Sequence, residues 1–219
     1  MKGLILCAGN ATRIQPFSFS IPKALLPVAN QTVLDRCIRK LAEAGINDIG
    51  IVINPQQNQF ERHLSTYVNQ LKITIIYQTE QLGIAHALIC AKSFIGQEPF
   101  VLLLGDNLIL EQIQTLLDAF QNNMCAIMLA SVENPSDYGI ADLRGERIIG
   151  LEEKPRKPKS PYAVIGAYAF QPAIFEAAAN ITRSARGEYE ITDAIDWLIQ
   201  RGNLVAYSIT DKLFYDIGT

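Results

Sequence analysis

The sequence predicts an α/β fold built around a doubly wound, mostly parallel central sheet, and three observations lead there. Apolar, largely branched runs at 4–6, 49–53, 73–77 and 100–104 have the texture of strands buried on both faces. Helix-spaced stretches separate them, as at Val33, Leu34, Cys37, Ile38, Leu41 and Ala42. The two kinds of segment alternate as β-α-β-α-β, an order that implies parallel strands joined by crossover helices.

The first strand, 4–6, runs into small residues, Ala8, Gly9 and Ala11, followed at once by Thr12 and Arg13. Small side chains leave main-chain N–H groups open to an anion, and Arg13 and Lys23 add positive charge, so the expected ligand is a phosphate. Asn30 to Thr32 offer a turn and an N-cap for the helix beginning at Val33, and Gly45 supplies its stop. A strand at 49–53 is followed by a polar loop at 55–59, a helix near 60–64 and a strand at 73–77. A loop at 78–83, a helix through 85–91 and a strand at 100–104 come next, the last stopped by Gly105-Asp106-Asn107.

From Met124 the texture changes. The reading there is a strand at 125–132, a turn at 135–139, and a hairpin with arms 140–143 and 148–151 around Arg144-Gly145-Glu146. A strand at 164–170, helices at 173–179 and 191–200 and a strand at 204–209 complete it. Without strict alternation, this half is expected to add strands to the edge of the first sheet. There is no internal repeat and no low-complexity tract.

The 219 residues suffice for one large core, and no Gly/Ser- or Pro-rich linker divides them, so a single domain over 1–219 is expected, with halves of about 1–123 and 124–219. A net charge of −3 argues against a nucleic-acid surface, which needs clustered excess Lys and Arg. Cys7, Cys37, Cys90 and Cys125 are too scattered for a structural zinc site and read as free, buried thiols of a reducing compartment. The N-terminal apolar run is too short for a signal peptide, and no stretch reaches the roughly 18 apolar residues of a membrane span. A cytoplasmic protein is expected.

In parallel sheets ligands sit beyond the carboxyl ends of the strands. The loops there carry Arg13 and Lys23 after the first strand, Gln78 and Gly83 after the third, and Asp106 after the fourth. Cations for phosphates, an amide for a base edge and a carboxylate for Mg²⁺ suit a nucleotide. A dinucleotide-dependent oxidoreductase is disfavoured, because Gly-x-Gly-x-x-Gly and an acidic ribose ligand after the second strand are both lacking.

Leu6-Cys7-Ala8-Gly9-Asn10-Ala11-Thr12-Arg13 with Pro22-Lys23 resembles the signature of the sugar-phosphate nucleotidyltransferases. Six further landmarks follow in that family's order: Gln78 with Gly83; Gly105-Asp106-Asn107; Tyr138-Gly139; Glu153-Lys154-Pro155; Arg186-Gly187-Glu188-Tyr189-Glu190-Ile191-Thr192-Asp193; and Asp216-Ile217-Gly218-Thr219. The Glu-Lys-Pro and Arg-Gly-Glu blocks are most similar to glucose-1-phosphate thymidylyltransferases. The resemblance implies a Rossmann-like nucleotide-binding half and a mixed, sugar-binding second half. It also implies in-line attack of a sugar 1-phosphate on the α-phosphorus of dTTP or UTP, with pyrophosphate leaving. The attacking oxygen is already ionised, so no general base is required, and positioning with charge neutralisation carries the catalysis.

By that resemblance, Arg13 holds the triphosphate, Lys23 bridges the α-phosphate and the sugar phosphate, and Asp106 with Asp216 binds Mg²⁺. Leu6, Ala8, Gly9, Asn10, Ala11 and Thr12 line the nucleotide, with Gln78 and Gly83 at the base. The sugar end falls to Gly139, Glu153, Lys154, the backbone near Val164, and Arg186, for which Glu188 and Glu190 are competing partners. His63 and His86 read as structural. Two departures stand out. Ala11 replaces the family's usual second glycine, where a Cβ crowds the phosphates; it is the one argument for an alternative, an inactive regulatory homologue that binds nucleotide or sugar nucleotide, against which the retained cations and both carboxylates count. The sequence also ends at Thr219, where members continue into at least a further helix, so a catalytic domain of a longer chain is expected. Members assemble as dimers or tetramers, which makes a homo-oligomer possible.

Overall fold

The computed structural model describes residues 1–9, 21–67, 70–121 and 123–217. Its first half runs β1 (Lys2–Leu6), a 3-10 turn at Lys23–Leu25, β2 (Pro27–Val28), β3 (Gln31–Thr32), α1 (Val33–Glu43), β4 (Asp48–Ile53), α2 (Gln59–Leu64) and β5 (Lys72–Tyr77). Then come α3 (Ile84–Ile95), β6 (Phe100–Leu104), β7 (Asn107–Ile109) and α4 (Ile113–Phe120). The second half holds β8 (Cys125–Ser131), β9 (Gly139–Arg144), β10 (Arg147–Glu153), β11 (Tyr162–Phe170), α5 (Ile174–Asn180), α6 (Ile191–Gln200), β12 (Val205–Thr210) and β13 (Phe214–Asp216).

β5, β4, β1 and β6 lie side by side in that order, all parallel. From β1 the chain winds out to β4 and β5, then crosses back to β6 on the other flank. Leu4 accordingly stands in register with Gly50 of β4 on one side and Leu102 of β6 on the other. In a parallel sheet the carboxyl edge beside such a switch point, here between β1 and β6, is where a ligand is expected to sit.

The later strands extend the sheet beyond β6, as the sequence leads one to expect. β11 runs antiparallel to β6, β8 antiparallel to β11, and β12 parallel to β8. Along β5-β4-β1-β6-β11-β8-β12 only β11 opposes the rest. β11 also changes partner along its length. Its end, from Ala167 to Phe170, pairs with β6, while Ala163 pairs with Ile140 of the β9–β10 hairpin. A register shift between Val164 and Tyr168 separates the two, and such a bulge bends the strand at that point.

Alternation along β1 sends Leu4 into one hydrophobic cluster and Ile5 into the other. On the Leu4 face the sheet is covered by α3, α5 and α6, through residues such as Leu88, Phe175 and Ile195. On the Ile5 face it is covered by α1, α2 and α4, through Leu34, Phe60 and Leu116. Each fully buried Leu, Ile or Phe contributes about 1.5–3 kcal/mol of transfer free energy, so two filled faces hold the sheet in place.

The structure differs from expectation in four places. α4, the two-stranded ribbon of β7 with β13 and the short pairing of β2 with β3 have no counterpart in the sequence reading. Cys7, Cys37 and Cys125 are buried, but Cys90 is half-exposed, because it sits on the outer flank of α3. Burial pushes the Cys7 and Cys125 thiols well up and Cys37 up to about 12, which leaves them unreactive packing groups. Among the described residues no helix is long and apolar enough to cross a membrane.

Candidate active site

Lys23 is set by a local device. Pro22 adopts φ −55° and cannot donate, and the 3-10 turn that follows buries Ala24 and leaves the Lys23 side chain reaching back across the crevice. Its Nζ donates to Asp106 Oδ2 at 2.8 Å and to Asp216 Oδ1 at 3.0 Å. Asp106 lies in the turn between β6 and β7. The β7–β13 ladder brings the second carboxylate there: Asp216 stands opposite Asn107, and the Ile217 N–H donates to the Asp106 carbonyl at 2.9 Å. Two carboxylates from strands far apart in sequence therefore converge on one cation at the carboxyl edge of β6.

That edge opens into a cleft of about 550 Å³. Asp106, Asn107 and Asp216 form one wall, Tyr138, Gly139, Glu153 and Lys154 another, and Arg186, Glu188, Glu190 and Thr192 a third. Val164, Ile165 and Tyr168 of β11 make the floor. Tyr138 packs edge-on against Phe214 at 6.1 Å, tying the second wall to β13. Among the described residues six carboxylates line the cleft, Asp106, Asp137, Glu153, Glu188, Glu190 and Asp216, against Lys154 and Arg186, with Lys23 paired to two of the six.

The second and third walls are cross-braced. Arg186 contacts Glu153 at 3.0 Å, Glu188 at 3.3 Å and Glu190 at 3.5 Å. Thr192 donates to the other Glu153 oxygen at 3.3 Å, and Ser184 donates to Glu190 at 2.7 Å. Burial, then the Glu190 carboxylate, raise the Glu153 carboxyl above the usual range, with Arg186, Lys154 and Thr192 opposing. Gly139 faces Glu153 across the β9–β10 ladder, where an added Cβ would come within 2.7 Å of the Thr192 methyl and 3.0 Å of Glu153 Oε2. Lys154 holds a left-handed backbone, φ +44°, anchored by its N–H donating to the Tyr138 carbonyl at 3.0 Å. Such a conformation costs on the order of 1–3 kcal/mol and persists where the surroundings enforce it.

The amide of Gln78 is buried at the end of β5, some way round the edge. Its Nε2 donates to the Gly83 carbonyl at 3.3 Å and meets His86 Nδ1 at 3.0 Å. Gly83 has φ +99°, and a Cβ there would stand 2.6 Å from the Tyr189 carbonyl oxygen. The Tyr189 N–H donates to the Leu82 carbonyl, so the loop after β5 is stitched to the Arg186–Tyr189 stretch. Leu6, Ala8 and Gly9 sit at the end of β1, with Ala8 buried, and among the described residues nothing lies within 4 Å of a Cβ placed on Gly9. Asn10, Ala11, Thr12 and Arg13 lie outside the described residues.

The structure thus brings together Lys23, Asp106 and Asp216 at one point, and Gly139, Glu153, Lys154, Val164 and Arg186 around the cleft. Sequence reasoning passed over Tyr138, Glu190 and Thr192 as wall residues and took His86 as purely structural. The Tyr-Gly and Glu-Ile-Thr blocks were visible as landmarks; the contact of His86 with Gln78 had no such signal.

A mostly parallel sheet covered on both faces by helices, with a charged cleft beyond β6, defines an α/β protein of the Rossmann-like kind. The chain belongs to the nucleotidyl transferase family, whose model matches residues 2–219. It is 39% identical over its whole length to the low-salt glycan biosynthesis nucleotidyltransferase Agl11 of Haloferax volcanii. It is likewise 39% identical to the glucose-1-phosphate thymidylyltransferase of Streptomyces antibioticus. The chain spans 62% and 63% of the length of these two curated relatives. A solved Bacillus anthracis structure, assigned as a glucose-1-phosphate thymidylyltransferase in complex with a sucrose, superposes with a TM-score of 0.90 at 33% identity. That match covers all of this chain and 90% of the other.

Proposed function

We propose that the chain transfers a nucleotidyl group, dTMP in preference to UMP, from a nucleoside triphosphate to glucose 1-phosphate, forming a nucleoside-diphosphate sugar and releasing pyrophosphate. The observation that carries this reading is the convergence of Asp106 and Asp216 on the Lys23 ammonium at the mouth of the cleft. The names of two relatives, thymidylyltransferases both, support the choice of sugar and base.

The carboxylate pair fits a divalent cation. Both oxygens already point at a single positive centre 2.8 and 3.0 Å away, and Mg²⁺ is commonly held by one or two carboxylates together with substrate phosphates. Among the described residues no larger cluster of metal-ligating side chains exists, and the pair suffices for such an ion. Asp106 and Asp216 would hold Mg²⁺, which when bound supplies neutralisation of phosphate charge.

Lys23 pairs with both carboxylates that line the cleft, and its ammonium serves the α-phosphate and the sugar phosphate at once. Arg13, supplied by the β1 loop, adds a second cation for the triphosphate. Gln78 and Gly83 take the base. On the sugar side, the Glu153 carboxylate accepts from vicinal hydroxyls, Gly139 leaves room for the ring, and Arg186 and Lys154 face the sugar phosphate, with the Val164 backbone on the floor. The nucleophile needs no base, and the bracing of Glu153 by Arg186 and Thr192 holds the sugar for in-line attack.

The test is pyrophosphate release with Mg²⁺ and glucose 1-phosphate, comparing dTTP, UTP, GTP, CTP and ATP. Release with dTTP is expected, falling by about 10²-fold or more in Asp106→Asn. Folded protein that releases pyrophosphate from none of the five would sink the proposal.

A further inference from the structure

The Gln78 amide carries an orientation that can be read from its partners. A backbone carbonyl only accepts, so the contact with Gly83 O at 3.3 Å requires the amide nitrogen, not the oxygen, on that side. The same nitrogen lies 3.0 Å from His86 Nδ1. With Nε2–H donating, Nδ1 must be the acceptor, which makes His86 a neutral ring with its proton on Nε2. Among the described residues no donor is paired with the Gln78 amide oxygen. Gln78 is held at the carboxyl edge by its own N–H, which donates to the Ile53 carbonyl at 2.9 Å beside the loop leaving β1.

We propose that His86 is a positioning residue that locks the Gln78 amide with its carbonyl oxygen toward the nucleotide. The inference rests on the nucleotide reading above and adds to it the source of base selection. An outward acceptor pairs with a base whose facing edge carries a ring N–H, as thymine and uracil do at N3. It repels cytosine and adenine, whose ring nitrogen at that edge is itself an acceptor. The Gly83 contact alone is at the long end of hydrogen-bond range, so the shorter His86 bond supplies most of the lock. A rotated amide would present its NH₂ instead and invert the preference.

The experiment uses His86→Leu, which keeps an apolar side chain of similar reach and removes the acceptor, and His86→Asn, whose Oδ1 occupies the bond position of Nδ1. Equilibrium binding of dTTP, UTP and CTP is measured for each, together with the ¹⁵N spectrum of the histidine rings, the His86 signals being those lost in His86→Leu. Expected are an unprotonated Nδ1 on His86, and a dTTP-over-CTP affinity ratio that falls about tenfold in His86→Leu. In His86→Asn that ratio should stay within about twofold of the unsubstituted chain. In a Gln78→Leu background His86→Leu should change the ratio no further, which a merely structural role would not produce. A proton on Nδ1, or a ratio unmoved in folded His86→Leu while dTTP still binds, overturns the role of His86 and leaves the transferase reading standing. Failure of the unsubstituted chain to bind any triphosphate overturns both.

Discussion

Glu153 is a cleft carboxylate whose titration its surroundings shift upward. Burial and then Glu190 raise its carboxyl, so between an unfolded-chain value of about 4.3 and the raised native one the folded protein keeps a proton that the unfolded chain has lost. Its contribution to stability therefore declines as pH rises through that window. The difference in unfolding free energy, Glu153→Gln minus unsubstituted chain, should grow from about pH 4 upward and level off beyond the raised value. A difference independent of pH would contradict the assignment. Gly83 makes a second prediction at this scale. Alanine there must adopt φ +99° and place its Cβ 2.6 Å from the Tyr189 carbonyl oxygen, so Gly83→Ala should cost about 2 kcal/mol or more in chemical denaturation.

Among the elements, α1 shows how closely local sequence can specify structure. Thr32 Oγ1 accepts from the Asp35 N–H at 3.0 Å, and Asp35 Oδ2 accepts from the Thr32 N–H at 3.3 Å, a reciprocal cap that the Thr-Val-Leu-Asp order makes possible. Thr32→Ala should lower stability by about 1 kcal/mol, measured by denaturant midpoint at unchanged slope. Elements of this kind were legible: α6 begins and ends where the spacing of Ile191, Ala194, Ile195 and Leu198 puts it, and the strands of the parallel half lie within a residue or two of their apolar runs. α4 was not, because Leu108, Ile109 and Leu110 run almost directly into its apolar face and Gln112 caps it without a side-chain bond, so no start signal stands out. β7 and β13 are three residues each and exist through pairing across more than a hundred positions, which no local pattern encodes. In the site, strand-end residues such as Asp106 and Gln78 could be placed from the parallel-sheet rule. The pairing of Arg186 with Glu188 and Glu190 was legible because they are near neighbours in sequence, whereas its contact with Glu153, 33 positions away on β10, is a tertiary fact.

At the scale of the molecule, the sheet is continuous through both halves, and β11 belongs to each: it pairs with β6 of the first and with β8 and β9 of the second. Neither half can complete its ladder without that strand. Unfolding is therefore expected as one cooperative transition. Fluorescence of the single tryptophan, Trp197 on α6, and far-ultraviolet circular dichroism should report coincident denaturant curves; separated midpoints would show two units instead.

Lys23 and Asp216 are 193 positions apart, yet they are in hydrogen-bond contact. Chains emerge from the ribosome amino end first, at about 5–20 residues per second. Lys23 and the parallel strands that frame it are thus available many seconds before the second carboxylate, and Lys23 can pair with Asp106 alone in the interval. The constellation closes only when β13 has left the exit tunnel and zipped onto β7, so a stalled or prematurely released nascent chain would carry most of the fold with an unfinished site.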